Sequence, residues 1–320
     1  MAHVVFIHGI SNKPDSDELL RRWRHAIANG AEAFDLGAEG IETSMVYWAD
    51  IMYSDAVPAT SFESAVAEDS IEGAGALNSL LGSSANIEDE EWLKKFAERM
   101  DLDEATLSAD DQDEQAEPDA KSKGEAQPDY LERIPLPWFI KRRFLRLFLR
   151  DVHHYLFNTQ SEPRPGEKYL TQTVIRKRFV NGLKKAKGDG GPLVVVAHSM
   201  GTVIAYDCLK RVSDCPEIDA LITIGAPLGI DEIQDKLRPE WSRDKGYPSK
   251  RVIKSWDNIY DALDVVARLD PKIANDYKEN KKVVIVDERQ ENGGLWRHDA
   301  EKYLKGPKFQ TALLKALDLN

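Results

Sequence analysis

The sequence predicts an α/β fold: a mainly parallel sheet flanked by helices, with a large helical cap insertion. Two observations carry this. Short apolar runs such as Val4-Val5-Phe6-Ile7 and Leu193-Val194-Val195-Val196 alternate with stretches of helical periodicity. Apolar runs of that length, spaced by helices, read as parallel strands buried on both faces. The alternation then stops between Asp50 and about Leu170, where helical patterns and a charged stretch intervene. The expected organisation is a core formed by residues 1–50 and 171–320 and a cap formed by residues 51–170.

Each element follows in order. Val4–Ile7 is the first strand. Asp17–Ala33 reads as a helix, because Leu19, Leu20, Trp23, Ile27 and Ala31 fall on one side. Thr43–Trp48 is the second strand. In the cap, Trp92, Phe96 and Met100 recur at four-residue spacing within the helical patterns of Ser61–Arg99. Asp101–Gln127 is acidic and nearly free of aromatics, a composition that predicts disorder. Ile140, Phe144, Phe148, Val152 and Tyr155 then form a helical stripe, and Arg133–Arg150 carries six basic residues and no acidic one. After the cap come a helix over Thr171–Ala186, the strand Leu193–Val196, a helix over Thr202–Arg211, and strands at Ala220–Ile224, Arg251–Trp256 and Lys282–Val286. Such sheets place ligands beyond the C-terminal ends of their strands.

Composition narrows the function. The chain has 320 residues and a formal charge of −12. Asp101–Asp129 holds eleven acidic residues against Lys121 and Lys123, so it carries nine of those twelve net charges. No basic surface is left to dominate the fold, which argues against nucleic acid as a partner. No run reaches the roughly 18 apolar residues of a membrane span. The apolar run after Met1 is too short for a signal sequence, and only Cys208 and Cys215 occur, so a reduced, cytoplasmic protein is expected.

The chemistry concentrates at Ala197-His198-Ser199-Met200-Gly201, where an apolar strand meets a helix. A serine at the apex of a sharp strand-to-helix turn presents its hydroxyl to a neighbouring base. The residues two before and two after must be small, a demand met by Ala197 and Gly201. The N–H of Met200, opening the helix, would face an oxyanion forming beside Ser199. His8-Gly9-Ile10 directly follows the first strand, where an oxyanion loop is expected. Gly9 lets that backbone approach a substrate, and the Ile10 N–H would be the second donor. His8 is expected to hold the loop by hydrogen bonding, and His198 to pack against a neighbouring strand layer.

VVFIHGISN, LVVVAHSMGTVIAYD and WDNIYDALDVVA, in this order, resemble the α/β-hydrolases, specifically their lipase- and esterase-like bacterial branch. The resemblance covers roughly residues 3–50 and 171–305. It departs from the family in lacking the first antiparallel strands before His3, and in Ala197 where glycine is usual. It implies a triad in the chain order serine, acid, histidine. Only His298 follows Ser199 among the histidines, so the resemblance assigns it as the base. The family's acid, an Asp before a small apolar run, matches Asp264 in Asp264-Val265-Val266-Ala267. Asp261 is held in reserve, and Asp257, placed just after its strand, is expected to turn the chain.

The implied activity is cleavage of small-molecule carboxylic esters through an acyl-enzyme. A serine-dependent acyltransferase, amidase or peptidase would use the same triad, and a non-catalytic interaction module is the third alternative. No cofactor is signalled. Gly188-Asp189-Gly190-Gly191 precedes a strand and reads as a turn rather than a phosphate cradle. No metal is expected, because His153 and His154 are adjacent and diverge on a helix. The basic, aromatic segment 138–157 could meet lipid, but packing on the core is favoured, its arginines facing solvent or the acidic segment.

Overall fold

The computed structural model describes residues 1–57, 87–100, 102, 138–188, 190–294 and 296–319. Six strands form one sheet: β1 (His3–Ile7), β2 (Glu42–Val46), β5 (Leu193–His198), β6 (Ile218–Ile224), β7 (Val252–Tyr260) and β8 (Val286–Arg289). Their order is β2-β1-β5-β6-β7-β8, and every neighbouring pair is parallel. The chain runs outward from β1 to β2, then returns to the other side of β1 as β5. Ligands of open parallel sheets gather at such a reversal, and Gly9 and Ser199 follow these two adjacent strands.

Alternation along the strands sends side chains to two separate cores. Val4 and Phe6 of β1, with Val194 and Val196 of β5, pack under α1 (Ser16–Ala28) and the last two helices, Ala300–Lys305 and Pro307–Ala316. Val5 and Ile7, with Val195 and Ala197, face the opposite side. That side is covered by α2 (Ile87–Arg99), α3 (Trp138–Leu156), α4 (Thr171–Ala186) and α5 (Met200–Arg211). The short α6 (Asp231–Lys236) follows β6, and the two C-terminal helices are α7 and α8.

Helix α3 is part of the core rather than a lid resting on it. Phe144, Phe148, Val152 and Tyr155 are all fully buried, in one cluster with Val5, Phe179 and Ile204. The Tyr155 hydroxyl donates to Asp207 of α5 at 2.6 Å, and Arg176 of α4 grips the same carboxylate at 2.6 and 2.7 Å, tying three helices together. Trp92 and Phe96 of α2 pack edge-on against Phe157 and Phe148. Arg146 and Arg150 are buried, and Arg150 pairs with Asp151, so these two do not face solvent as expected. The acidic stretch 103–128, the helical patterns over 61–86 and the side chain of Ile140 lie outside the described residues.

Several elements differ from expectation. α1 ends at Ala28, five residues early, where Asn29 and Gly30 cap it, and the Asp15 carboxylate sets its start by accepting from Asp17 and Glu18 N–H. β7 continues to Tyr260, so Asp257 lies inside the strand, buried, with Lys315 beside it at 3.4 Å. β8 begins at Val286 rather than Lys282. A tight turn at Asn280 and Lys281, both with positive φ, uses Lys282 in a bridge to Glu279, leaving Val283 and Val284 exposed. A hairpin of β3 (Gln160–Arg164) and β4 (Glu167–Leu170) occupies a stretch too polar to signal a strand. Among the described residues no helix is long and apolar enough to cross a membrane.

Candidate active site

Ser199 stands between β5 and α5 with φ 52° and ψ −128°, a region L-residues rarely occupy. Sites that aim a side chain hold backbone strain of this kind. Two glycines permit it. A Cβ on Gly201 would lie 2.6 Å from the His8 carbonyl oxygen and 2.8 Å from that of Ile7, so only glycine lets α5 pack so close to β1. A Cβ on Gly9 would lie 2.6 Å from Ser199 Cβ and 3.1 Å from its Oγ. The His8–Ile10 loop therefore passes directly over the serine.

His298, in the loop before α7, brings Nε2 to 2.9 Å from Ser199 Oγ. Its Nδ1 lies 2.7 and 2.8 Å from the two carboxylate oxygens of Asp264. A carboxylate can only accept, so Nδ1 carries the proton and Nε2 is free to accept the Ser199 hydroxyl. Asp264 lies in the loop after β7. Burial would raise its pKa, but the His298 imidazole, the Tyr303 hydroxyl and the Val266 N–H outweigh it and hold the carboxyl below its usual range. The Tyr303 hydroxyl donates to Asp264 Oδ2 at 2.7 Å and accepts the Asp261 N–H at 2.9 Å. Asp261 does not reach the histidine. Its carboxylate accepts from Leu263 N–H at 2.8 Å, Asn292 N–H at 2.6 Å and Arg297 at 3.1 Å, bracing the loop that carries His298.

Two further histidines shape the surroundings. His8 Nδ1–H donates to its neighbour's carbonyl, Gly9 O, at 2.8 Å, while Nε2 accepts the Trp48 N–H at 3.0 Å. Its ring stacks on Trp48 at 4.8 Å. Burial, helped by the Lys13 charge, lowers its pKa to about 3, so it stays neutral. In a trans peptide N–H and C=O point oppositely. Holding Gly9 O toward His8 thus turns the Ile10 N–H away from it. Met200 opens α5, and N–H groups of a first turn have no acceptor within the helix. His198 is buried, and its Nε2 donates to the His298 carbonyl at 2.8 Å, fixing the backbone of that loop.

Sequence reasoning missed Tyr303 and the role of Gly225. Gly225 has φ 58°, and a Cβ there would lie 3.0 Å from Asp264 Oδ2 and 3.3 Å from the His298 ring. Its signal was Gly-Ala-Pro directly after a strand. Tyr303 gave none, because its partner lies 39 positions away. His153 is buried on Phe157, and His154 bonds Thr159, so the pair does not converge. Among the described residues no group of three or more acidic, histidine or cysteine side chains is placed to hold a metal ion.

A small cleft of about 70 Å³ opens beside Ser199 and His298. Ile10, Leu19, Trp23, Val57 and Phe144 form its apolar wall; Asn12, Lys13, Arg22 and Glu301 form its polar side. No family model matches the chain, and no curated protein matches it significantly. Among solved structures, that of an uncharacterized protein from Pseudomonas aeruginosa aligns at 10% identity with a TM-score of 0.32. The alignment covers 99% of this chain but 46% of that one, so this chain spans less than half its length. A likeness that weak carries no argument.

Proposed function

We propose that the protein is a serine hydrolase of the α/β-hydrolase fold that cleaves carboxylic esters. One observation carries the reading: Ser199 Oγ, His298 Nε2, His298 Nδ1 and Asp264 form an unbroken chain of hydrogen bonds at 2.9 and 2.7 Å, with the serine on a strained strand-to-helix turn. A serine hydroxyl is a weak nucleophile until an oriented base removes its proton. The order serine, acid, histidine along the chain supports the same reading.

In this mechanism His298 takes the Ser199 proton as Oγ attacks the acyl carbonyl. Asp264 holds the imidazole in the required tautomer and stabilises its charged form. The Ile10 and Met200 N–H groups stabilise the tetrahedral oxyanion, an effect worth roughly 3–4 kcal/mol per donor in comparable sites. The imidazolium protonates the leaving alkoxide, and water activated by His298 then releases the acid from the acyl-enzyme. The apolar wall of the cleft, Ile10, Leu19, Trp23, Val57 and Phe144, offers a surface for an acyl group.

A fluorophosphonate probe and a panel of p-nitrophenyl esters of graded acyl length test this. The wild type should label at Ser199 and turn over esters of the panel. Ser199→Ala should fold normally, fail to label and lose detectable turnover. Turnover that survives in the variant would sink the assignment, and exclusive turnover of amides or transfer to added alcohols would redirect it.

A further inference from the structure

We propose that Asp151, on α3, is a positioning residue for the oxyanion hole, acting through the Ile10–Ser11 peptide. This rests on the hydrolase reading above. Ser11 directly follows the donor residue Ile10 and has φ 65°, a left-handed conformation that a serine keeps only where its surroundings impose it. Both polar groups of the Ile10–Ser11 peptide are held by charges. The Ser11 N–H donates to Asp151 Oδ2 at 2.9 Å, and the Lys13 ammonium donates to the Ile10 carbonyl. Lys13 also donates to Ser11 Oγ at 3.0 Å. The preceding peptide, Gly9–Ile10, is held at its carbonyl by His8. Two successive peptide planes are thus fixed, and the Ile10 N–H belongs to the first of them.

Asp151 is built for this task rather than for attaching α3. It is fully buried, 140 positions from Ser11. Tyr53 donates to the same Oδ2 at 2.8 Å, while Arg150 Nε and Nη2 donate to Oδ1 at 3.0 and 2.8 Å. Replacing a buried ion pair by apolar residues is often neutral or stabilising. Helix α3 is already secured by its apolar face and by the bond from Tyr155 to Asp207. What the carboxylate adds is a charged acceptor for one backbone N–H beside the serine.

The test measures Asp151→Asn and Lys13→Met, each normalised to active sites by the end-point of fluorophosphonate labelling. In Asp151→Asn the new amide can accept through only one of its two ends. The Arg150 donors claim that oxygen, so an NH2 group is left facing the Ser11 N–H. A misaimed oxyanion donor weakens the transition state and not the ground state. Asp151→Asn should lose about tenfold or more in kcat with KM within about threefold, since deleting such a donor outright costs about 10²–10³. Lys13→Met, whose side chain also lines the cleft, should lose kcat alike whatever its KM. Affinity for a trifluoromethyl ketone, whose adduct fills the hole, should fall in parallel with kcat/KM. Loss of foldedness alone would lower the titrated sites and leave kcat per site unchanged. If Asp151→Asn does not fold, Asp151→Glu decides, since it keeps the charge and displaces the acceptor from the Ser11 N–H. A kcat per site within twofold of wild type overturns the proposal. Failure of the wild type to label Ser199 removes the hydrolase reading and this one with it.

Discussion

Tyr303 shows how much of the site depends on residues that never meet a substrate. Its hydroxyl is shared: it donates to the Asp264 carboxylate and accepts the Asp261 N–H. Burial and the Asp264 charge push its pKa well up, so it remains a donor at any physiological pH. Tyr303→Phe removes a hydrogen bond to a charged group and strands a buried N–H, each worth about 1–3 kcal/mol. The expected outcome is about a tenfold lower kcat at little changed KM, with a lower melting temperature. Steady-state kinetics and a thermal melt check both, and an unchanged kcat would reduce Tyr303 to a packing residue. The candidate triad was partly legible beforehand. Ser199 was marked by a local motif, whereas His298 and the choice of Asp264 over Asp261 both required a family resemblance. Both aspartates follow one strand within four residues, and only the fold shows that Asp261 turns to Asn292 and Arg297.

Among the elements, the junction of β5 and α5 carries the greatest constraint. α5 packs on the end of β1 with Gly201 as the contact, and a methyl group there meets two carbonyl oxygens rather than a movable side chain. Gly201→Ala should cost about 1–3 kcal/mol, in the range for overpacking a filled core. A urea titration would show it as a shifted midpoint, and an unchanged midpoint would mean that α5 can retreat freely. The strands were legible where apolar runs were buried on both faces, as in β1, β5 and β6. β8 was misjudged because Val283-Val284-Ile285-Val286 is apolar yet mostly exposed, with only Ile285 buried. Arg146 and Arg150 of α3 were misjudged for the opposite reason. Arg150 is charged, but a carboxylate one residue on lets it go inside.

For the molecule as a whole, three buried histidines and the half-buried His154 have lowered pKa values: His8 to about 3, His153 and His154 to about 4, and His198 well below 6.5, in each case chiefly through loss of solvent. The unfolded chain, with its histidines near 6.5, then binds more protons than the folded one below that pH. Stability should therefore be full above about pH 6.5 and fall as the pH drops toward about 4, by up to about 1.4 kcal/mol per pH unit for each group. Melting temperatures from pH 7.5 to 4 would show it, and a flat profile would mean that these rings gain solvent before the fold opens. The alternating order of strands and helices made the sheet readable. Contacts between segments far apart in the chain, such as Asp151 to Ser11, leave no spacing to read. The parallel sheet also gives the molecule two poles. His8, Ser199, Asp264 and His298 all follow strands and crowd one of them. Met1, Gly188 and Gly190 are exposed at the other, ahead of β1 and β5, with the Met1 backbone packed on Gly191. An affinity tag, a fusion partner or a surface tether attached there leaves the mouth of the cleft facing the solution.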